Sequence, residues 1–469
     1  MKKIIILILL FPCFVFSNDV NKNLENFLDE CYKQNLFSGS VCIMKNFKPI
    51  FEKSYGSSNV QLNNLNSFDT KYNIASIGKM FTLILILQLI ENGELNENDN
   101  IAKYLPLFDK EKFKDVTVKH LITHSSGFGD FINPEFIQNK NNYNSLNDIL
   151  KLISETNLSF PPGTEKEYSN SGYCILGGIV ESITGKSFGD VINEKIFKTL
   201  GMNNTEYKMP SDYDQLKAIG YIQGIKGNLN PTGNMLIGST PAGGVYSTIN
   251  DMLKFDFSLF NDNKLLTDNS KLLLFSEFKD VKYNSFSDMI NDPGFGSMIA
   301  GGAPGFNSLY LLLPSKGYTG FIFSNFDNGA ERVEKGIVDI LNGKTPEIPK
   351  PMLGIYLFKK LNELGSEYFI NNISAIVNEA SVQFEHDGVL NNIGYQFLNN
   401  GFINEAIAIF KYNVEIFPNI SNCYDSLAEA YLESGDKTKA IEFYELALKL
   451  DPDNKRITDT LKKLNNLSR

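Results

Sequence analysis

Between residues 401 and 452 the sequence repeats its punctuation every 34 positions, with Gly401 and Gly435, Ala406 and Ala440, Phe410 and Tyr444, and Pro418 and Pro452 in register. A period of this length fits stacked helix pairs. The glycine closes the first helix of a pair, the alanine lets the two helices approach, and the proline ends the second. Two pairs leave an apolar face uncovered, so the flanks must supply more helix. Residues 353–364 and 368–380, separated by Gly365, predict a degenerate preceding pair, and 457–467 a capping helix. The proline-rich stretch at 345–351 cannot sustain a helix and marks a connector. A chain of 469 residues, 42% hydrophobic and 21% charged, is too long for one ordinary domain and can bury substantial cores.

A second organising feature lies upstream. Ser76-Ile77-Gly78-Lys79 opens an apolar run from Met80 to Ile90 that stops at Asn92-Gly93, a helix-ending pair. Ser76 is therefore expected at a helix start, with Lys79 three residues on and on the same face. A serine hydroxyl is a weak nucleophile at neutral pH and needs a base; an amine serves when burial or neighbouring positive charge lowers its pKa. The positive end of the helix contributes to that field. Tyr168-Ser169-Asn170 follows 89 residues after Lys79. Tyr168 can relay a proton to a leaving group, and the Asn170 amide can hold either the substrate or the lysine. Alone, a Ser-x-x-Lys quartet reads sooner as a helix-capping serine followed by a solvated lysine.

The surrounding sequence weighs against that plainer reading. Residues 72–82, Tyr-Asn-Ile-Ala-Ser-Ile-Gly-Lys-Met-Phe-Thr, resemble the nucleophile segment of the serine β-lactamase and penicillin-binding-protein superfamily, in its class C and esterase-like branch. Four further stretches resemble that branch in order: 99–106, 116–128 (ending His124-Ser125-Ser126-Gly127-Phe128), 196–202 and 240–248. The resemblance covers about residues 20–345. It implies an α/β (α+β) domain, an antiparallel sheet flanked by helices with a helical subdomain, and Ser76, Lys79 and Tyr168 as catalytic residues. The 34-residue period is that of tetratricopeptide repeats, so a short α-solenoid is expected to follow. On this reading 1–17 is a signal peptide, 18–345 the hydrolase domain, 346–385 a linker with the degenerate pair, and 386–469 the repeats with their cap.

One motif departs from the family. Ile299-Ala300-Gly301-Gly302 looks like the strand that usually begins with Lys or His, and Ile299 stands at the basic position. In β-lactam-recognising relatives that cation helps bind the substrate carboxylate, a contact isoleucine cannot make. Ile299, Ala300 and Gly301 are candidate substrate-binding positions beside Asn170, and the backbone N–H groups of Ser76 and Gly302 a candidate oxyanion hole. The expected activity is acyl transfer from carboxylic esters, amides or short peptides, with β-lactams ranked lower. The alternative is a non-catalytic binding scaffold that recruits a protein through its repeats.

Other chemistries find little support. Net charge is −10 with pI near 5.1 and there is no basic stripe, which argues against nucleic acid. His120, His124 and His386 are the only histidines. The first two, four apart, would suit a metal only if carboxylates converged, and a structural role near Ser125-Ser126-Gly127 is favoured. No metal or organic cofactor is expected. Lys2-Lys3 followed by an apolar run to Phe16 reads as a secretory signal, placing the protein in the periplasm or outside the cell; membrane association would follow only if the segment stays uncleaved. Cleavage after Ser17 would leave Cys31, Cys42, Cys174 and Cys423, whose scatter resembles no small disulfide framework.

Overall fold

The computed structural model describes residues 19–207, 214–276, 283–382 and 384–466. The expected signal segment lies outside them. The described chain forms two compact units, one running to 222 and resuming from 231 to 349, the other made of 223–230 and 350 onward. The second unit thus begins four residues beyond the expected connector boundary and also takes in a short piece from within the hydrolase region. Ile225 is the reason: it is 1% exposed and shares a core with Leu353, Leu357 and Ile393.

The first unit is built on five antiparallel strands, β1 (Gly39–Lys45), β2 (Lys48–Tyr55), β3 (Ser297–Ala303), β4 (Phe306–Leu313) and β5 (Tyr318–Ser324), in the order β2-β1-β5-β4-β3. β1 pairs with β5 from Gly39 against Ser324 to Lys45 against Tyr318, joining residues some 280 positions apart. A Cβ on Gly39 would sit 1.9 Å from the Phe323 carbonyl oxygen, so this close approach requires glycine.

Alternation along the central strands divides two cores. Val41, Ile43, Leu309, Leu311 and Ile322 pack with Leu24, Phe27 and Leu28 of α1 (Val20–Lys33) and with Val333 and Ile337 of the helix Gly329–Leu341. Cys42, Met44, Tyr310, Leu312, Phe321 and Phe323 face the larger core, which holds α2 (Lys79–Glu91). Every residue of α2 from Lys79 to Leu87 is buried. A helix apolar on all sides must be enclosed by other elements, and the Met80–Leu87 run, polar only at Thr82, makes it so. Cys31, Cys42, Cys174 and Cys423 are all free and buried. No helix among the described residues is long and apolar enough to cross a membrane.

The second unit contains the predicted pairs. Helices Gly388–Asn399 and Ile403–Ile416, then Ser421–Glu433 and Lys437–Leu450, are closed by Gly401 and Gly435 at φ +84° and +86°, and Lys455–Asn466 follows. Ala406, Ala440, Phe410 and Tyr444 are all buried between them. The preceding pair is Leu353–Leu364 followed by a segment that breaks at Asn372 into Ser366–Asn371 and Ile373–Glu379. The Asn372 amide donates to the Tyr368 carbonyl, a side chain competing with the helix for its own acceptor.

One buried carboxylate marks the larger core. Asp256 is 0% exposed and accepts from the Tyr310 hydroxyl (2.5 Å) and the Thr319 hydroxyl (3.0 Å). Burial pushes its pKa up to about 7, partly offset by those two hydrogen bonds. A pKa raised on folding means that this group's contribution is fully present below its unfolded pKa near 4 and is lost as pH rises to about 7. Asp256→Asn, whose amide both hydroxyls can satisfy by rotating, should therefore melt higher than the parent at pH 8. The difference in Tm between the two proteins should grow from pH 4 to about 7 and then level off.

Candidate active site

Ser76 lies in a single 3₁₀ turn, Ala75–Gly78, that runs directly into α2. The turn is strained and pinned. Ala75 has φ +45°, a left-handed conformation unusual for a residue with a Cβ. The Ala75 N–H donates to Asn73 Oδ1 (2.9 Å), its carbonyl accepts from Gly244 N (3.3 Å), and the Ile74 N–H donates to the Val245 carbonyl (2.9 Å). Two glycines press against it. A Cβ on Gly301 of β3 would lie 2.3 Å from the Ile74 carbonyl oxygen and 3.0 Å from Ser76 N, and one on Gly243 would lie 2.5 Å from the Ala75 carbonyl oxygen. Only residues without a Cβ allow the backbones to meet this closely.

The three candidate catalytic side chains converge. Lys79 Nζ is 3.1 Å from Ser76 Oγ, and the Tyr168 hydroxyl is 2.7 Å from it on another side. Tyr168 arrives from the segment leading into α3 (Asn170–Thr184), capped by Ser169, whose Oγ accepts from Gly172 N. Asn170, for which sequence left two roles open, holds the lysine: its Oδ1 accepts from Lys79 Nζ at 2.7 Å.

Lys79 is 5% exposed, and burial brings its amine down to about 7 from 10.5, only partly countered by nearby Cys174 and Asp130. Near neutral pH the amine is therefore substantially uncharged. A neutral amine carries two hydrogens and one lone pair. Asn170 Oδ1 and the Ala242 carbonyl (2.5 Å) are both pure acceptors and take the two hydrogens. The lone pair is left for the third neighbour, Ser76 Oγ, whose hydroxyl hydrogen it can accept. Tyr168 is 52% exposed as a residue, but burial around its hydroxyl raises its pKa, so it stays protonated and donates to Ser76.

Two participants were not legible beforehand. The Ala242 carbonyl belongs to the stretch 240–248, noted only for resemblance, and the Thr82 hydroxyl of α2 fixes that loop through the Pro241 carbonyl at 2.6 Å. Asp130, exposed just after the Ser125–Gly129 stretch, accepts from Asn170 Nδ2 at 2.6 Å and so fixes which end of that amide faces Lys79. Its place so close after His124-Ser125-Ser126-Gly127 was the only available signal.

The β3 residues divide. Ala300 and Gly302 are exposed, whereas Ile299 is 6% exposed, paired with Tyr310 and packed in the larger core. This corrects its assignment to substrate binding: pleat alternation turns its side chain inward with Gly301, and the open face of the strand is left to its neighbours. The paired-histidine arrangement also fails to form. His120 caps its own helix through Thr117 N, while His124 lies beyond the helix end at φ +55°. No metal-binding cluster occurs among the described residues. A cavity of about 1320 Å³ lined by Phe136, Tyr143, Phe188, Tyr207 and Pro241 does not include Ser76, Lys79 or Tyr168.

The beta-lactamase family model matches residues 20–343. The chain belongs to the beta-lactamase family. A tetratricopeptide repeat model matches residues 421–454. Among relatives of this beta-lactamase-family chain, Protein flp of Staphylococcus aureus (strain N315) is 30% identical over 338 residues, covering 70% of this chain and 66% of that protein. Penicillin-binding protein 4* of Bacillus subtilis (strain 168) is 25% identical over 373 residues, covering 70% and 78%. The crystal structure of a penicillin-binding protein from Bacillus halodurans superposes with a TM-score of 0.57 at 25% identity, covering 69% of this chain and 98% of that one. This chain therefore spans about two thirds of the length of flp, and its core is the serine-hydrolase-like fold of that family.

The Lys79 environment gives a direct test. The negative charge of Asp130 holds the lysine pKa up, so removing that charge should lower it. NMR titration of Lys79 should show a midpoint near pH 7 in the parent and a lower one in Asp130→Asn.

Proposed function

We propose that this chain is a serine hydrolase that forms an acyl-Ser76 intermediate from carboxylic esters, or from amides and short peptides lacking a carboxylate beside the reactive carbonyl. The observation that carries the reading is the placement of buried Lys79 Nζ, 3.1 Å from Ser76 Oγ and held by the Asn170 and Ala242 carbonyl oxygens, an arrangement that leaves the lone pair of the uncharged amine for the Ser76 hydroxyl.

In the proposed cycle Lys79 Nζ takes the Ser76 proton as Oγ attacks the acyl carbon. The oxyanion is held by the N–H groups of Ser76 and Gly302. Tyr168 gives its proton to the departing alkoxide or amine and is reprotonated from Lys79, which leaves the lysine neutral again. Water then attacks the acyl-serine, its proton passes through the same pair to Ser76 Oγ, and the carboxylic acid leaves. Every group required is a side chain or backbone N–H of this chain, so the reading calls for no cofactor.

Substrate preference follows from charge. The inward Ile299 offers no cation, and Asp130 adds a carboxylate beside Asn170, so a substrate carboxylate near the site meets repulsion without a partner. This ranks β-lactams below neutral esters and amides. Because β3 is the sheet edge, its outer backbone groups suit an extended acyl or peptide chain. We further read the N-terminal segment as an export signal and the repeats as a surface for a protein partner.

A fluorophosphonate probe should label Ser76 in the mature protein, more rapidly as pH rises through about 7, and not in Ser76→Ala or Lys79→Ala. Absence of labelling in folded protein would discard the hydrolase and favour the binding scaffold. A paired glycine test is more specific. Gly301→Ala should lower the labelling rate by about 100-fold or more, because its Cβ meets the backbone of the Ser76 turn. Gly302→Ala, whose Cβ would have nothing within 4 Å, should stay within a few-fold of the parent.

A further inference from the structure

His124 belongs to no step of the proposed cycle, yet it touches the segment bearing Tyr168 in three ways. Its backbone carbonyl accepts from Glu167 N at 2.9 Å, and its ring Nδ1 accepts from Ser169 N at 3.1 Å. Its imidazole lies between two tyrosine rings, 4.7 Å from Tyr168 at 27° and 5.2 Å from Tyr173 at 28°. The residues on both sides of Tyr168 and one face of its ring are thus held by a single side chain and its own peptide. The backbone of His124 is itself in a left-handed conformation, φ +55°, a strained geometry that positions both the carbonyl and the ring.

Nδ1 can accept the Ser169 N–H only as a bare nitrogen, so the ring is the neutral tautomer with its hydrogen on Nε2. Burial keeps it neutral, and protonation of nearby Lys79 would act in the same direction, which agrees with that tautomer. Lys79 Nζ in turn lies 4.7 Å from the Tyr168 ring centre and 5.6 Å from that of Tyr173. Lysine, histidine and the two tyrosines form one packed group around the nucleophile.

We propose that His124 is a positioning residue for proton delivery by Tyr168, a neutral clamp that holds the tyrosine hydroxyl 2.7 Å from Ser76 Oγ. The inference rests on the acyl-transfer reading. It does not make His124 a base, because its one lone pair is committed to Ser169.

The test compares full-length parent, His124→Phe and His124→Asn on ethyl butyrate and p-nitrophenyl butyrate. The two esters share an acyl group but differ in how much their leaving groups need a proton. Phenylalanine keeps the stacking face and loses the acceptor; asparagine keeps an acceptor near the Nδ1 position and tolerates a positive φ. His124→Phe should lower ethyl ester turnover at least about tenfold more than p-nitrophenyl ester turnover, and His124→Asn should recover most of the difference. Amide exchange at Ser169, read by mass spectrometry with fragmentation, should quicken in His124→Phe and stay near the parent in His124→Asn. Equal losses on both esters, or unchanged Ser169 exchange in His124→Phe, would overturn the proposal. If the parent hydrolyses neither ester and a fluorophosphonate does not label Ser76, the acyl-transfer reading fails, and the exchange measurement alone still decides whether the clamp exists.

Discussion

The chemistry proposed for this fold depends on the burial of one amine. Taken out of water, the Lys79 ammonium would have two carbonyl oxygens and a hydroxyl as hydrogen-bond partners and two tyrosine rings nearby, with no carboxylate in ion-pair contact among the described residues to offset its desolvation. Burial lowers the pKa of the amine to about 7, and on the proposed reading its uncharged form is the base for Ser76. Burial comes from α2, whose enclosure on every side carries Lys79 inward at its first turn. Direction comes from Asn170 and Ala242, which arrive from two other parts of the chain.

Those arrivals explain why the sheet and the site cannot be separated. The Gly301 backbone must lie against the Ile74 and Ser76 peptides, so the nucleophile turn is shaped by a strand more than 220 positions later. β3 is held there by β4, β4 by β5, and β5 by β1. Strain at Ala75 persists because Val245, Gly244 and Asn73 fix the peptides around it. A turn with such backbone geometry would relax in isolation; the assembled sheet and loops keep it in place.

Much of this was legible because its signals are local. The apolar run after Ser76 dictated a buried helix, Asn92-Gly93 its end, and the 34-residue spacing the helix pairs of the second unit. Ser76, Lys79 and Tyr168 could be singled out only through the family-like stretches around them, because a Ser-x-x-Lys quartet by itself reads as a capped helix with a solvated lysine. The Ala242 carbonyl was not, since every residue has one and only tertiary placement makes it a ligand. Asp130 was hidden for the same reason, one exposed carboxylate among many until the Asn170 amide meets it. Ile299 was assigned to the lining of the site and is instead buried, because strand register, which decides which face a side chain takes, is set by pairing with Tyr310. Ile225 joined the second core through contacts with residues more than 120 positions away, which no local pattern announces.

The same reasoning separates two kinds of strain around the nucleophile. Ala75 and His124 are both non-glycine residues at positive φ, and they sit at the two chain segments that bring Ser76 and Tyr168 together. At Ala75 the small side chain limits the steric cost, and the neighbouring glycines let other backbones approach. At His124 the ring itself repays the conformation with a hydrogen bond and two stacked contacts. One strained residue is held from outside and the other holds its neighbours. That asymmetry makes Ala75 a shaped part of the Ser76 turn, whereas on the proposed reading His124 is the element that shapes the segment carrying Tyr168.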